Sequence, residues 1–261
     1  MARPITSICL ALLAVAQSGP AKTAGGTAAS DSRAQRYNTY SKLNRQIFHT
    51  SDDDESGRVT SRAKAAEILS QLHKLVSDEI IGILSSPGAS ADDVVAAINA
   101  IQDKAGSKPL ADLFQLNGVK CLAVSYSILQ GADAIPDTQP YLEFWDQTNG
   151  SWAMKAEAPA RTDFRGHTFT VAKLDSPVPT EAWFLAWGMT IGNPGTPLKL
   201  RLYSFDGNAV RTVWKRDDLE RGSVTISNNN TVVLAYERDY QANRPDNEVR
   251  ETLHVTGNGL E

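Results

Sequence analysis

Carboxylates are the side chains of this sequence with the clearest potential for chemistry, because many of them adjoin β-like segments. A glycoside hydrolase needs two carboxylates roughly 5 to 10 Å apart across a cleft. The candidates are Glu143, Asp146, Asp206, Glu237 and Asp239. Their spacing along the chain does not bring any two of them together. Hydrolysis of a glycan or peptide therefore stays an alternative function, and we assign no catalytic residue.

The histidines and the common catalytic motifs give little support for an enzyme. None of the histidines lies in an HExxH motif or beside a nucleophile motif, so we expect all of them at the surface: His49, His73, His167 and His254. The chain also has no GxSxG, no phosphate-binding glycine loop and no CxxC. We expect a binding protein rather than an enzyme, and no cofactor.

An acidic segment resembles the beginning of an EF-hand calcium loop. Asp52, Asp54 and Ser56 occupy the first, third and fifth positions. Gly57 follows at the sixth position, where such a loop turns sharply. The twelfth position, normally a bidentate Glu, is Ala63. Because that ligand is missing, we assign no metal site and interpret the segment as a solvated acidic loop.

The tryptophans fall into two groups, and all of them lie in the β-like half of the chain. Trp183 and Trp187 share one face of the most apolar segment, which predicts that both belong to the core. The others lie near turns or on outer strands and are candidates for a surface that contacts sugars or a protein: Trp145, Trp152 and Trp214.

The N-terminal residues have the pattern of an export signal. Arg3 precedes an apolar run from Ile5 to Ala16, and the small residues that end this run suit a signal peptidase. We expect cleavage near Ala16 (signal peptide 1–16), which gives a secreted or periplasmic protein without a membrane anchor. Cys9 leaves with the signal, so Cys121 has no disulfide partner and is expected to be a buried apolar residue.

A flexible linker and a helical segment follow. Residues 17–30 are rich in Gly, Ala, Ser and Thr, which is typical of a linker. Residues 31–117 have apolar residues at helical spacing, and Ser90 is a candidate cap for the last of three helices. We expect Pro109 to open a further helical turn that carries Leu110, Leu113 and Phe114.

Residues 118–261 change to an alternating pattern that predicts an antiparallel β domain. Three similar units are recognisable, and each begins with an apolar strand: Cys121–Tyr126, Phe184–Gly188 and Val233–Glu237. The expected class is therefore α+β, with helices followed by β-meanders. The units form either an open propeller-like arc of about three blades or a β-sandwich.

Each unit contains a connection rich in Pro, Gly, Asn and Asp after its first strand: Gly131–Gln139, Gly192–Pro197 and Tyr240–Asn247. Equivalent loops of successive units cluster in space, so we expect a protein or glycan partner to bind there. A third possibility is a structural, self-assembling protein. The formal charge of −4, with Lys and Arg scattered along the chain, excludes a nucleic-acid footprint.

Overall fold

The computed structural model describes residues 25–49, 57–102, 108–130, 137–189, 197–238 and 248–261. The helices within these ranges are α1 (Gly25–His49), α2 (Gly57–Leu84), α3 (Ala91–Gln102) and the short α4 (Ala160–Asp163). The strands are β1 (Leu110–Leu116), β2 (Val119–Gln130), β3 (Asp137–Thr148), β4 (Ser151–Glu157), β5 (Thr170–Leu174), β6 (Ala182–Gly188), β7 (Leu198–Phe205), β8 (Val210–Asn228), β9 (Thr231–Glu237), β10 (Glu248–Thr256) and β11 (Gly259–Leu260). None of the described helices has the length and apolarity needed to cross a membrane.

The helices form a layer of their own. α3 begins as predicted, because the Asp93 amide donates to the Ser90 hydroxyl and the Ser90 amide donates to the Asp93 carboxylate. α1 is tied to α2 by Glu79, which is buried and accepts ion-pair hydrogen bonds from Arg33 at 2.7 Å and Arg36 at 2.5 Å. A buried carboxylate needs such partners, so these arginines fix how α1 lies on α2.

The strands form two antiparallel sheets, one with the order β1-β2-β3-β4 and one running from β5 to β11 in chain order. β8 belongs to both halves of the larger sheet: its first part pairs with β7 and its second part with β9. The change occurs around Arg221, which has a positive φ of 48°, and Gly222. A Cβ on Gly222 would lie 2.9 Å from Leu198 Cβ, so only glycine allows this close approach.

The strands thus make three four-stranded units, and they stack in chain order. A first apolar cluster lies between the helices and unit one (β1–β4). A second, which includes Phe144, Phe184 and Phe205, lies between units one and two (β5–β7 and the first part of β8). A third, which includes Trp183, Leu202 and Leu234, lies between units two and three (the rest of β8 with β9–β11). The predicted α+β class with antiparallel meanders is confirmed.

Two predictions about local structure are wrong. The segment after Pro109, expected to be a helical turn, is strand β1, which pairs with β2 along its whole length. Asn117 and Gly118 form the hairpin turn with φ of 52° and 78°, and Asn-Gly is the preferred pair for such a turn. The first sheet therefore begins before the predicted boundary at residue 118.

The second correction concerns the linker. α1 begins at Gly25, so residues 25–30 are helical rather than part of a flexible linker. The two alanines before Ser30 favour a helix in this stretch, whereas its glycines and threonine disfavour one. The signal peptide and the remainder of the predicted linker lie outside the described residues.

Candidate functional site

The three predicted binding connections lie mostly outside the described residues, but the strand ends that carry them are described. At the first connection, the Thr138 hydroxyl donates to the His167 carbonyl at 2.7 Å, and the Gly166 amide donates to the Thr138 carbonyl at 2.9 Å. At the second, the Thr168 amide donates to the Met189 carbonyl at 2.7 Å, and the Met189 amide donates back to the Thr168 hydroxyl at 3.0 Å. The segment 166–168 therefore joins the flanks of the first two connections.

Strand pairing links the flanks of the second connection to the flanks of the third. Gly188 pairs with Lys199 across β6 and β7, and Leu198 pairs with Leu219 of β8. Glu237 then pairs with both Glu220 and Glu248. The flanks of all three connections follow one side of the β stack. We call this side the connection edge and define it by Thr138, His167, Thr168, Met189, Leu198 and Glu237.

The connection edge has a mixed surface. Met189 is 36% exposed, and Thr168 beside it is also exposed. At the far end Arg221 forms an ion pair with Glu237 at 3.3 Å. The described surface of this edge thus combines one apolar residue with polar and charged ones.

A second cluster surrounds Glu143, a candidate catalytic carboxylate that the structure places inside the molecule with 0% exposure. His73 Nε2 contacts Glu143 Oε1 at 2.5 Å, and the Tyr126 hydroxyl donates to the same oxygen at 2.7 Å. Trp145 Nε1 donates to Oε2 at 3.1 Å. Because a carboxylate only accepts, His73 is the donor in its contact. We call these four residues the Glu143 hub.

Stacked rings close the hub on its helix side. The His73 ring lies 4.5 Å from the Tyr141 ring, which in turn lies 5.0 Å from the Tyr126 ring, and all three are nearly parallel. Burial, and after it the Glu143 carboxylate, raises the pKa of Tyr126 well above its ordinary value. Tyr126 therefore stays protonated and keeps donating.

Glu157 is the carboxylate that the structure brings beside Glu143, because the two are directly paired across β3 and β4. Burial is the largest effect on the Glu157 pKa and raises it; Arg161, which pairs with Glu157 at 2.7 Å, lowers it, and Glu143 raises it further. Two neighbouring carboxylates with different partners are the composition that acid–base chemistry uses. Here, however, both Glu143 oxygens accept hydrogen bonds from protein donors, so the hub attaches α2 to the first sheet.

The other predicted carboxylates do not join this pair. Asp146 lies on the opposite face of β3 and forms an ion pair with Lys155 at 3.1 Å. Asp206 accepts hydrogen bonds from the amides of Asn208 and Ala209 in a turn, and Glu237 pairs with Arg221. Asp239 lies outside the described residues.

Two histidines are not the surface residues that the sequence analysis expects. His73 belongs to the Glu143 hub, and His167 is buried with Nδ1 2.7 Å from the Arg165 carbonyl. Helical spacing could have indicated that His73 is not at the surface, because this residue follows Leu72 and precedes Val76 on the apolar face of α2. His254 is exposed as predicted, and the side chain of His49 is outside the described part of the chain.

The proposed tryptophan contact surface is largely absent. Trp145 and Trp152 are buried, because the helices cover this face of the first sheet, while Trp214 is half-buried against the third apolar cluster. Trp183 is in the core as predicted, and Trp187 packs against the same cluster. Cys121 is buried and free, which confirms its interpretation as an apolar residue.

The acidic segment is described only in its second half. Asp52, Asp54 and Ser56 lie outside the described residues, whereas Gly57 and Ala63 are both within α2. A helix over the last seven positions differs from the extended loop that wraps a calcium ion. In the described ranges, no group of three or more metal-binding side chains converges.

Comparison of the chain with protein-family models, with curated proteins and with solved structures finds no match.

Proposed function

We propose that this chain is an exported binding protein that contacts a protein or glycan partner along the connection edge. The observation that supports the proposal is the continuous path from Thr138 through Thr168 and Met189 to Leu198 and Glu237, which places the flanks of all three connections side by side. Loops carried by a rigid stack of strands are a common place for recognition.

The stack below this edge is suited to hold such loops. Apolar clusters fill the space on both sides of units one and two, so the strand ends are fixed by packing rather than by the loops themselves. A pre-formed scaffold lowers the ordering cost of binding.

The alternative functions have less support. For a hydrolase, Glu143 and Glu157 would be the carboxylate pair, but Glu143 already accepts hydrogen bonds from His73, Tyr126 and Trp145. For self-assembly, the outward face of unit three would have to pack on a copy of the chain. That face exposes polar side chains: Ser223, Thr225, Ser227, Arg250 and Thr252.

Two exposed methionines offer a direct test of the connection edge. Met189 lies on this edge, whereas Met154, with 43% exposure, lies on edge strand β4 of unit one. We expect Met189→Glu to lose a partner that wild-type protein and Met154→Glu both retain in cross-linked pull-downs from native extracts. Equal recovery of the same partner by both variants would place the contact elsewhere.

Export is tested separately. The proposed signal ends near Ala16, so the protein recovered outside the cytoplasm should begin at Gln17 when its N-terminus is sequenced. An Ala16→Arg variant should keep the signal attached. A mature protein that still begins at Met1 would contradict export by this route.

A further inference from the structure

Two glutamates lie directly opposite each other on the face of the first sheet that α2 covers. Glu143 of β3 is paired with Glu157 of β4. Glu143 is 0% exposed, and the Glu157 side chain keeps only 17% of its surface exposed. Like charges directly opposite each other on neighbouring strands repel, and the repulsion is stronger away from water. The pair therefore needs a compensating positive charge or a proton.

Two side chains from other elements supply positive charge or a proton donor to this pair. From α2, His73 Nε2 contacts Glu143 Oε1 at 2.5 Å. From α4, Arg161 Nε lies 2.7 Å from Glu157 Oε1, and its guanidinium lies 5.5 Å from the centre of the Tyr141 ring. The pair thus connects a helix of the outer layer, two strands and α4.

The other titratable groups near this pair do not change its charge balance. Burial raises the pKa of both Tyr126 and Tyr141, so their hydroxyls remain uncharged. On α2, Lys74 forms its own ion pair with Asp78 at 2.6 Å, and Glu79 is bound to the arginines of α1.

The charges of the remaining four groups do not cancel. With both glutamates ionised and His73 neutral, two negative charges face the single positive charge of Arg161. One added proton makes the group neutral. Burial is the main cause that raises the pKa of Glu157, and it outweighs the lowering by Arg161. Glu157 is therefore the group that holds this proton.

We propose that Glu143, Glu157, His73 and Arg161 form a pH-sensitive latch that holds α2 on the first sheet most firmly while Glu157 is protonated. Stability from a carboxyl whose pKa is raised in the folded state is fully present below its unfolded pKa, about 4.5. It is lost as the pH rises through the folded pKa. Weaker docking of α2 would expose the first apolar cluster, which lies between the helices and unit one.

Glu157→Gln tests the latch because glutamine resembles a protonated glutamate and cannot ionise. We expect the melting temperature of this variant relative to wild type to rise by about 2 °C or more between pH 4 and pH 8. Glu67→Gln makes the same change at an exposed position of α2, and its difference from wild type should stay constant within about 1 °C. A Glu157→Gln difference that is constant or falls over this range would overturn the proposal.

Arg161→Gln tests the same charge balance from the cation. Without the guanidinium, an ionised Glu157 has lost its 2.7 Å partner, so this variant should lose more melting temperature at pH 8 than at pH 4. Arg45→Gln, at an exposed position of α1, should have the same effect at both pH values. An equal loss for Arg161→Gln at both pH values would contradict the latch.

Hydrogen exchange of the wild-type protein shows whether the effect is located at α2. After correction for the intrinsic effect of pH on exchange, the protection of Leu72 and Val76 relative to Leu185 of β6 should fall from pH 4 to pH 8. Glu157→Gln should abolish this fall. Constant relative protection of α2 in the wild type, or the same fall in the variant, would overturn the proposal. None of these results depends on whether Met189 contacts a partner.

Discussion

The same pair of residues, a glutamate followed two positions later by a tryptophan, occurs in units one and two with different consequences. In unit one Trp145 Nε1 donates to Glu143 at 3.1 Å, and in unit two Trp183 Nε1 donates to Glu181 at 2.9 Å. Side chains two positions apart point to the same side of an extended chain, so the local geometry is shared.

The difference lies in the other donors. Glu143 is fully buried and accepts from His73 of α2, so its hub joins two layers of the molecule. The Glu181 side chain keeps 13% of its surface exposed, and its further donors are Ser204 at 2.6 Å and Arg211 at 2.7 Å, both within unit two. The same Glu–Trp pair therefore fixes α2 on the first sheet in unit one and links strand ends to one another in unit two.

The largest effect should follow from removing the buried carboxylate. Glu143→Ala leaves three donors without their acceptor in the interior, so we expect a loss of about 3 to 5 kcal/mol in the free energy of unfolding. Urea unfolding at neutral pH measures it. Glu248→Ala, at an exposed position, is the control and should change stability by less than about 0.5 kcal/mol. A loss below about 1 kcal/mol for Glu143→Ala would mean that the hub does not hold α2 on the sheet.

The strands of both units could be predicted from sequence, whereas the Glu143 hub could not. Alternation of apolar and polar residues, as in Leu198, Leu200 and Leu202, is a local signal that indicates strand β7. The hub needs His73, which lies 70 residues before Glu143, and no local pattern reports such a contact. The sequence could at most show that His73 lies on the apolar face of α2.

The two other wrong predictions, on strand β1 and on the tryptophans, also come from the limits of local sequence patterns. Strand β1 was missed because Leu110, Leu113 and Phe114 also fit helical spacing, although the Asn117-Gly118 pair was a local signal for a hairpin. Trp145 and Trp152 looked exposed because their position near a turn is visible in the sequence. The layer of helices that covers these two tryptophans is a long-range feature, and the sequence does not show it.

An intermediate effect on the free energy of unfolding, which depends on pH, should come from a change of Glu181. Burial alone would raise the pKa of Glu181, but hydrogen bonds from Ser204, Trp183 and Arg211 outweigh it and lower the pKa from 4.5 to about 2. A carboxyl with a lowered pKa in the folded state stabilises the protein above its unfolded pKa. That stability is lost as the pH falls from about 4.5 towards 2.

Glu181→Gln should therefore cost about 2 kcal/mol at neutral pH and nearly nothing near pH 2. The measurement is the difference between wild-type and variant unfolding free energies at several pH values. The pKa of Glu251 is also lowered, first by its hydrogen bond from Arg216, but this effect is common to both proteins and cancels in the difference. A difference that does not change between pH 6 and pH 3 would contradict the proposed ionic role of Glu181.

The smallest effects compare single hydroxyl groups at the two glutamates. Tyr126→Phe removes the donor 2.7 Å from Glu143, and Ser204→Ala removes the donor 2.6 Å from Glu181. Neither change leaves a large cavity, so the loss of unfolding free energy in each variant comes mainly from the missing hydrogen bond to a carboxylate. We expect about 1.5 kcal/mol for Tyr126→Phe, because the buried Glu143 cannot replace the donor with water. Glu181 is partly exposed, so water can replace the Ser204 hydroxyl and the cost should be about 1 kcal/mol or less. Chemical denaturation of both variants in one buffer measures the two losses of unfolding free energy. A loss for Ser204→Ala that equals or exceeds the loss for Tyr126→Phe would show that the exposure of the glutamate does not determine the cost of removing its donor.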